Sequence, residues 1–280
     1  MSAAITAPSL LAGRYHLERE LGRGGMGVVY RARDLLHEQF GEPSPGVAIK
    51  LLGEAFSQCP DAHLLLYGEF SVTRSLRHEG VVRAFSFEVD ATHEAAFFTM
   101  ELLHGITLDR LLPECPAGLP WRELQPVALQ LLDALVYTHQ QNVLHGDIKP
   151  ANIMLGEEGV RLFDFGLSVA QAQVTAGLPG LSRNRFNAWT PAYTAPELLE
   201  GGVLTGAADL YGVACVLYEL AHGQRLDAKK PWERLARPRQ LPGRYWPALR
   251  TALAVDPERR CISVRELRHV MGRNRRFWNL

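Results

Sequence analysis

The sequence has few cysteines, no excess of charge of either sign and no long hydrophobic run. Its cysteines lie far apart and match no spacing typical of a metal site, which favours a reducing compartment over a disulfide scaffold; they are Cys59, Cys115, Cys215 and Cys261. Lysine plus arginine equal aspartate plus glutamate, 30 against 30, so no overall field attracts nucleic acid or an anionic membrane. The chain contains no run of about 18 apolar residues, and its opening segment lacks the basic start and apolar core of a leader peptide. We therefore expect a cytoplasmic protein with no nucleic-acid partner and no membrane span.

The 280 residues contain 47% apolar residues, enough for a globular fold with a sizeable core. From Tyr15 to about Leu103 the patterns favour strands, interrupted by one helix over roughly Asp61 to Leu76. After Gly105 the pattern becomes helical, first in WRELQPVALQLLDALVYTHQQ and then in AADLYGVACVLYELAHG, which should end at Gly223. The sequence thus predicts a small sheet-rich lobe followed by a larger helical lobe. A cleft between such lobes is a common place for a ligand.

The predicted helix of the small lobe carries a carboxylate in an apolar stripe. Leu65, Glu69, Val72 and Leu76 follow each other at helical spacing and share one face. A buried carboxylate is costly unless a cation meets it, and Lys50, at the end of the apolar strand VAIK, has the matching need. We expect these two residues to pair and to present the lysine charge to a phosphate group. The alternative is that Glu69 lies in water at the edge of the stripe.

The segment LGRGGMGVVY places Gly22, Gly24 and Gly27 at the spacing G-x-G-x-x-G. This motif alone is weak, because its dinucleotide-binding form requires a helix after the glycines. Here Val28 to Tyr30 continue as a strand, so the glycines form the tip of a hairpin. Such a tip can cover phosphates with backbone amides, or it can simply be flexible.

The segment NVLHGDIKPANIML concentrates polar residues between two apolar runs. NIML and VRLFDFG flank the turn GEEG and predict a hairpin, which would bring Asn152 and Asp164 together as hard oxygen ligands for magnesium. Asp147 could then accept a proton from an attacking hydroxyl, while Lys149 offsets the charge on the transferred phosphoryl group. A loop of satisfied polar groups is the alternative.

Taken together, the strings GRGGMGVV, VAIK, HGDIKPAN, DFG and APE resemble the protein kinase family, and LGRGGMGVVYRARD resembles its bacterial serine/threonine-specific members. The resemblance implies an α+β, bilobal protein kinase fold, with a small antiparallel sheet lobe that holds one key helix and a larger, mainly helical lobe. We expect an N-terminal extension at 1–14, a kinase domain at 15–271 divided near 103/104, and a basic, aromatic tail at 272–280. The implied activity is transfer of the ATP γ-phosphoryl group to serine or threonine, including autophosphorylation.

The resemblance also implies roles for individual residues. Asp147, Lys149 and Lys50 would be catalytic, with ATP as co-substrate and Mg²⁺ (or Mn²⁺) on Asn152 and Asp164. The implied nucleotide-binding residues are Leu21, Gly22, Gly24, Gly27, Val29, Ala48, Lys50, Glu69, Met100, Glu101, Leu103, Asn152 and Asp164. Among these, Met100 would be the gatekeeper, and Glu101 and Leu103 would lend backbone groups to adenine. The residues implied to be structural are His145, Phe165, Glu197 paired with Arg260, and Asp209, which would anchor the catalytic loop. Expected partners are proteins with serine or threonine acceptors and a cognate phosphatase.

Departures from the family pattern keep alternatives open. Gly146 stands where the family has an arginine that helps to receive a loop phosphate, so we predict basal activity without phosphorylation of Thr175 or Ser182. The string HGD followed by an asparagine also resembles small-molecule kinases of the aminoglycoside or choline type, and a nucleotide-binding pseudokinase is a further alternative. The loop before Lys50 is long, and the stretch from Gly223 to 256 is short enough to lack a helix. The tail, which contains four arginines from Arg268 onward, would suit a membrane tether if the natural chain continues.

Overall fold

The computed structural model describes residues 9–24, 27–53, 62–166, 168–170, 190–226 and 235–273. The chain divides into two compact units. The first unit contains the described residues up to Arg77 together with Val82–Leu103. The second contains His78–Val81 and the described residues from His104 onward. The predicted domain limits at 15 and 271 stay predictions.

The first unit is built on a six-stranded antiparallel sheet with the strand order β1-β2-β3-β4-β6-β5. The strands are β1 (Leu10–Leu11), β2 (Tyr15–Arg23), β3 (Gly27–Asp34), β4 (Gly46–Leu52), β5 (Ala84–Asp90) and β6 (Ala95–Glu101). The described residues of this unit form two helices, α1 (Leu35–Gln39) and α2 (Ala62–Ser75). Successive residues of a strand point to opposite faces, so the apolar runs of β4 and β6 supply two cores at once.

Both faces of this sheet are covered. One core contains Tyr15, Ile49 and Phe97. The other contains Phe98 and residues of α2, and because Phe97 and Phe98 are neighbours on β6 the two cores lie on opposite faces. Lys50 is paired with Phe98 in the β4–β6 register. Lys50 therefore projects from the face on which α2 packs.

The N-terminal extension contributes to the sheet. Leu10 and Leu11 pair with the start of β2, and the Leu11 side chain is fully buried among the core residues of that face. Ala12 and Gly13 adopt positive φ angles of 48° and 63°, and the Ala12 N–H donates to Asp90 Oδ2 at 2.8 Å. Residues 10–14 thus pack as part of the first unit.

The second unit is mainly helical. Its helices are α3 (Leu108–Leu111), α4 (Trp121–Gln140), α5 (Pro196–Leu199), α6 (Gly206–His222), α7 (Trp246–Ala252) and α8 (Val264–Met271). Helix α6 is buried along almost its whole length, so it forms the centre of the unit, and α4 packs an amphipathic face against it. Gly223 ends α6 in the left-handed conformation with φ 79°, as the sequence predicted.

Short strands in the second unit set the geometry of the loops. They are β7 (Ile106–Thr107), β8 (Val143–Leu144), β9 (Ile153–Gly156), β10 (Gly159–Leu162) and β11 (Val169–Ala170). Strands β9 and β10 form the predicted hairpin around GEEG, with Ile153 opposite Leu162. Strands β8 and β11 pair with each other, and β7 pairs with β9.

Two predicted features differ in detail. Within the region predicted to favour strands, the apolar run from Val81 to Asp90 forms a strand only from Ala84 onward. Val81 belongs to the second unit and pairs there with Leu162 in an isolated parallel bridge. The long loop before Lys50 begins with helix α1, whose first turn is capped by the Asp34 side chain. Within the described ranges, no helix is long and apolar enough to cross a bilayer.

Candidate active site

The predicted pair of Lys50 and Glu69 is present in the first unit. Lys50 Nζ donates to Glu69 Oε1 at 2.6 Å and to Oε2 at 2.8 Å. Both residues are almost fully buried, with 6% and 4% of their surface exposed. Each charge thus meets its counter-charge in an apolar setting, so the lysine is held in one position.

The three glycines of the hairpin differ in whether packing leaves room for a side chain. The Gly24 N–H donates to the Gly27 carbonyl at 2.8 Å. A Cβ on Gly27 would lie 2.3 Å from the Leu51 carbonyl oxygen, whereas a Cβ on Gly22 would meet nothing within 4 Å. Packing against β4 therefore requires a glycine at position 27. The absence of side chains at Gly22 and Gly24 is not required by packing, and it leaves backbone there that an anion can approach.

The strand register shows where the residues lie that the resemblance assigns to nucleotide binding. Ala48 is buried and lies opposite Met100 across β4 and β6, and Val29 lies opposite Lys50 across β3 and β4. Leu21 is partly buried near the end of β2. These side chains lie on β4, which carries Lys50, and on the other strands of the same sheet. Their roles in binding a nucleotide stay predictions.

Glu101 is the last residue of β6 and comes just before the segment that leads to the second unit. Its backbone N–H donates to the Arg83 carbonyl at 2.9 Å, and its carboxylate accepts from the Arg83 N–H at 3.3 Å. Leu103 follows as a partly buried residue and is the last residue of the first unit. The backbone of Glu101 is therefore fixed on one side by Arg83.

The catalytic-loop residues of the second unit form one hydrogen-bonded group. Lys149 Nζ donates to Asp147 Oδ2 at 2.6 Å and to Thr190 Oγ1 at 3.3 Å. Asn152 Nδ2 donates to the Asp147 carbonyl at 2.9 Å and to Asp147 Oδ2 at 3.1 Å. The carboxylate of Asp147 is thus oriented from two sides, with its Oδ1 atom receiving neither of these bonds. The polar segment is more than a satisfied surface loop, since its side chains converge on one carboxylate.

Burial raises the pKa of Asp147, and the nearby charge of Asp164 raises it further. The ammonium group of Lys149 opposes this rise by charge and by its hydrogen bond. A carboxylate whose pKa is raised is a better proton acceptor than an ordinary aspartate.

Asn152 and Asp164 flank the β9–β10 hairpin rather than lying within its strands. The Phe163 N–H donates to the Asn152 carbonyl at 3.1 Å, which extends the pairing by one step and places Asp164 beside the asparagine. Because Asn152 Nδ2 is used by Asp147, its Oδ1 atom is the one that remains for a metal ion. Asp164 has a φ angle of 66°, a conformation uncommon for aspartate. Two oxygen ligands of this kind fit a magnesium ion that takes its other ligands from phosphate and water.

Asp209 fixes the backbone of the catalytic loop. It accepts from the His145 N–H at 2.9 Å and from the Gly146 N–H at 2.8 Å, as the resemblance implied. It also contacts His139 Nε2 at 2.8 Å, a partner that the sequence did not reveal. Burial by itself would raise the pKa of Asp209, but the His139 bond and the loop amides hold it below its usual value.

The loop held by Asp209 has a left-handed residue, because Gly146 has a φ angle of 79°. Glycine adopts this conformation without strain, whereas the arginine of the family pattern would not. His145 is fully buried, with its ring 4.7 Å from that of Phe165. Its Nδ1 atom accepts from the Asp147 N–H and its Nε2 atom lies 3.1 Å from the Phe163 carbonyl. His145 and Phe165 therefore pack together, and His145 also positions the loop, as expected.

A second group of contacts supports the segment after Thr190. Arg260 donates to both oxygens of Glu197 at 2.6 and 2.8 Å, which confirms the predicted ion pair. The Tyr193 hydroxyl donates to Glu219 Oε2 at 2.5 Å, a contact that was not predicted. Burial and the Glu219 carboxylate both raise the pKa of this tyrosine, so it remains a donor at neutral pH.

Some predictions fall on residues outside the described ranges. They concern the loop hydroxyls Thr175 and Ser182 and the aromatic tail beyond Arg273. The stretch from Gly223 to 256, which we predicted to be short enough to lack a helix, also lies partly outside the described ranges. Between 235 and 256 the described residues contain helix α7.

Comparison with known proteins identifies relatives of the chain. The family described as protein kinase domain matches residues 15–238. The chain is similar to the serine/threonine-protein kinase PkaA of Streptomyces coelicolor, at 34% identity over 89% of this chain and 48% of the relative. It is also similar to the DNA damage-responsive serine/threonine-protein kinase RqkA of Deinococcus radiodurans, at 35% identity over 78% of this chain and 31% of the relative.

A solved structure matches the whole fold. The kinase domain of Mycobacterium tuberculosis PknI, solved as a point mutant, superposes with a TM-score of 0.66 at 27% identity, and the match covers 96% of this chain and 98% of that chain. The curated relatives are longer, because this chain spans about half the length of PkaA and about a third of RqkA.

Proposed function

We propose that this chain transfers the γ-phosphoryl group of ATP to serine or threonine hydroxyls of proteins, because it belongs to the protein kinase domain family, which matches residues 15–238. Its curated relatives carry the name serine/threonine-protein kinase at 34 and 35% identity. The observation that carries the proposal is the Asp147 carboxylate, held by Lys149 and Asn152 beside Thr190.

In this mechanism the first unit holds the nucleotide. Lys50, fixed by Glu69, supplies a positive charge to the ATP phosphates, and the glycine hairpin lets the phosphates approach its backbone at Gly22 and Gly24. Ala48 and Met100 offer apolar contact to the adenine ring, and the backbone of Glu101 and Leu103 offers polar contact.

The second unit carries the transfer step. Asp147 orients the substrate hydroxyl and accepts its proton through the oxygen that Lys149 and Asn152 leave available. Lys149 offsets charge on the phosphoryl group as it moves. Asn152 Oδ1 and the Asp164 carboxylate would hold Mg²⁺ or Mn²⁺, which when bound neutralises charge on the phosphates. Most of the rate gain thus comes from positioning and electrostatics.

The partners included in this proposal are a protein with accessible serine or threonine and a phosphatase that removes the product phosphate. We also propose that the reaction takes place in the cytoplasm, where ATP is available as the donor. Lys149 also touches Thr190, at the start of the segment held by the Glu197–Arg260 and Tyr193–Glu219 contacts. A fixed segment at this position supports a peptide as acceptor better than it supports a small molecule.

The test is to incubate the purified chain with γ-labelled ATP and Mg²⁺, alone and with a general protein substrate, and to identify the labelled residue after acid hydrolysis. Phosphoserine or phosphothreonine is the expected result, and the Asp147→Asn variant is the matched control. Label only on aminoglycosides or choline would replace the proposal with a small-molecule kinase. ATP binding without any transfer by the wild type would indicate a pseudokinase. Chelation of the metal should abolish transfer, and added Mg²⁺ or Mn²⁺ should restore it.

A further inference from the structure

The neutral overall charge of the chain conceals an uneven distribution. Residues 235–280 contain eleven arginines, no lysine and three acidic residues, whereas residues 1–234 contain 19 basic and 27 acidic residues. The C-terminal part therefore carries a net charge of +8 and the remainder −8. Local charge of this size can bind an anionic partner even though the whole molecule has no net charge.

Four exposed arginines of this part come close together, and we call them the basic patch: Arg237, Arg239, Arg244 and Arg273. Arg237 Nη1 donates to the Leu241 carbonyl at 3.3 Å and would lie 3.0 Å from a Cβ on Gly243, the neighbour of Arg244. The Tyr245 hydroxyl accepts from Arg244 Nη2 at 2.8 Å and donates to the Arg273 carbonyl at 3.0 Å. Arg239 lies in the turn closed by the Leu241 N–H and the Pro238 carbonyl.

The arginines of the basic patch differ from those arginines of the second unit that form ion pairs with carboxylates. Arg260 and Arg268 are paired with Glu197 and Asp133. In the described part of the chain, no member of the basic patch forms an ion pair. Their charge is therefore not neutralised within the unit, and it faces solvent.

The surroundings of the patch indicate the kind of anion it fits. The Tyr245 ring packs against Trp121 at 4.6 Å and beneath Arg244 at 4.5 Å, and only 1% of Tyr245 is exposed. It cannot serve as a platform for stacking bases, which disfavours single-stranded nucleic acid. Arg244 lies in a single 3-10 turn, Gly243–Tyr245, and the other three arginines lie in turns or loops, so none is on a helix long enough to enter a DNA groove. A bilayer with anionic headgroups requires neither feature, because it presents phosphates over a broad surface.

The sequence that follows the patch has the same character. Arg275 and Arg276 come directly before Phe277 and Trp278, and basic residues next to aromatic residues are typical of membrane interfaces. We propose that the basic patch binds the surface of an anionic phospholipid bilayer. The binding does not depend on phosphoryl transfer, so the Asp147→Asn variant should bind equally well.

The experiment measures co-sedimentation of the full chain with vesicles of phosphatidylcholine, with and without about 30% phosphatidylglycerol. We expect binding only to the anionic vesicles and its loss in about 1 M NaCl, where the Debye length is about 3 Å. The triple variant Arg237→Gln, Arg239→Gln, Arg244→Gln should bind roughly 100-fold more weakly, from about 1 kcal/mol for each basic residue. The same three positions changed to lysine should retain most of the affinity, since the charge is kept.

The matched control changes three exposed arginines elsewhere to glutamine, namely Arg19, Arg83 and Arg110. It lowers the net charge equally and should leave vesicle binding within a few-fold of wild type. Equal loss in both triple variants would overturn the patch in favour of overall charge. Unchanged binding of the patch variant would also overturn it, as would a patch-dependent affinity for duplex DNA that exceeds the affinity for the vesicles.

Discussion

Breaking the buried pair of Lys50 and Glu69 from one side should be far more harmful than removing it entirely. Glu69→Leu leaves the lysine ammonium, on a residue that is 6% exposed, facing an apolar side chain in place of two bonds of 2.6 and 2.8 Å. Loss of one partner from a buried ion pair costs about 3–5 kcal/mol. Lys50→Met should cost a similar amount, because it leaves the carboxylate without that lysine.

The double variant Lys50→Met, Glu69→Leu should recover most of this stability. Its two apolar side chains have volumes similar to those they replace, and such replacements of buried pairs are often neutral or stabilising. We expect its free energy of unfolding to lie within about 1 kcal/mol of wild type, against a sum of about 6–10 kcal/mol for independent effects. Phosphoryl transfer should nevertheless remain absent, since the charge proposed to hold the ATP phosphates is gone.

The two compact units can unfold separately, so the measurement needs a local probe. Hydrogen exchange of the amides in β4 and α2, followed as a function of urea, reports the first unit alone. Transfer to a peptide is measured on the same samples. Additive loss of stability in the double variant would refute the reasoning, because the two charges would then not act as one buried unit.

Three further predictions concern single residues. Asp147→Asn should keep ATP binding and lose about two to four orders of magnitude in turnover, the range that a general base supplies; an unchanged rate in a peptide assay would remove it from the mechanism. Gly27→Ala should destabilise the first unit by about 1–3 kcal/mol through overpacking against a carbonyl oxygen 2.3 Å from the new methyl, while Gly24→Ala, with space for a methyl, serves as the control in urea melts. Asp209 has a lowered pKa, so its carboxylate stabilises the fold above its ordinary pKa of 3.8 and this contribution is lost as pH falls toward the depressed value. His139→Phe removes a bond that lowers that pKa, so acid destabilisation should begin at higher pH; identical midpoints from about pH 3 to 6 would contradict this.

Local sequence patterns were sufficient to predict a contact wherever a residue needed a partner and few residues nearby in the chain could supply it. A carboxylate in the apolar stripe of α2 and an ammonium at the end of an apolar strand each need an opposite charge, and Lys50 and Glu69 are joined in the structure. The hairpin that brings Asn152 next to Asp164 followed equally from two short apolar runs around a turn. In both cases the partners lie close together in the chain, 19 positions apart for the ion pair, so that few pairings compete.

Contacts between distant segments could not be found in this way. His139 is one of several polar residues near the end of α4, and its bond to Asp209 exists because α4 packs on α6. The Tyr193 bond to Glu219 depends in the same way on where α6 ends. Such contacts join residues 26 and 70 positions apart, and no periodicity within one segment reports them.

The sequence by itself determined the family, the succession of a strand-rich part and a helical part, and the residue types that can bind phosphate and accept a proton, because these depend on spacing along the chain. Only the tertiary structure decided that Gly27 is required by a close approach to Leu51, that Leu11 belongs to the core, and that Gly146 adopts a positive φ angle. It also decided that four arginines from separate short segments lie close together without ion pairs among the described residues. The physical reason is that steric room, burial and charge neutralisation are properties of the neighbours a residue acquires when the chain packs, and the local sequence does not specify those neighbours.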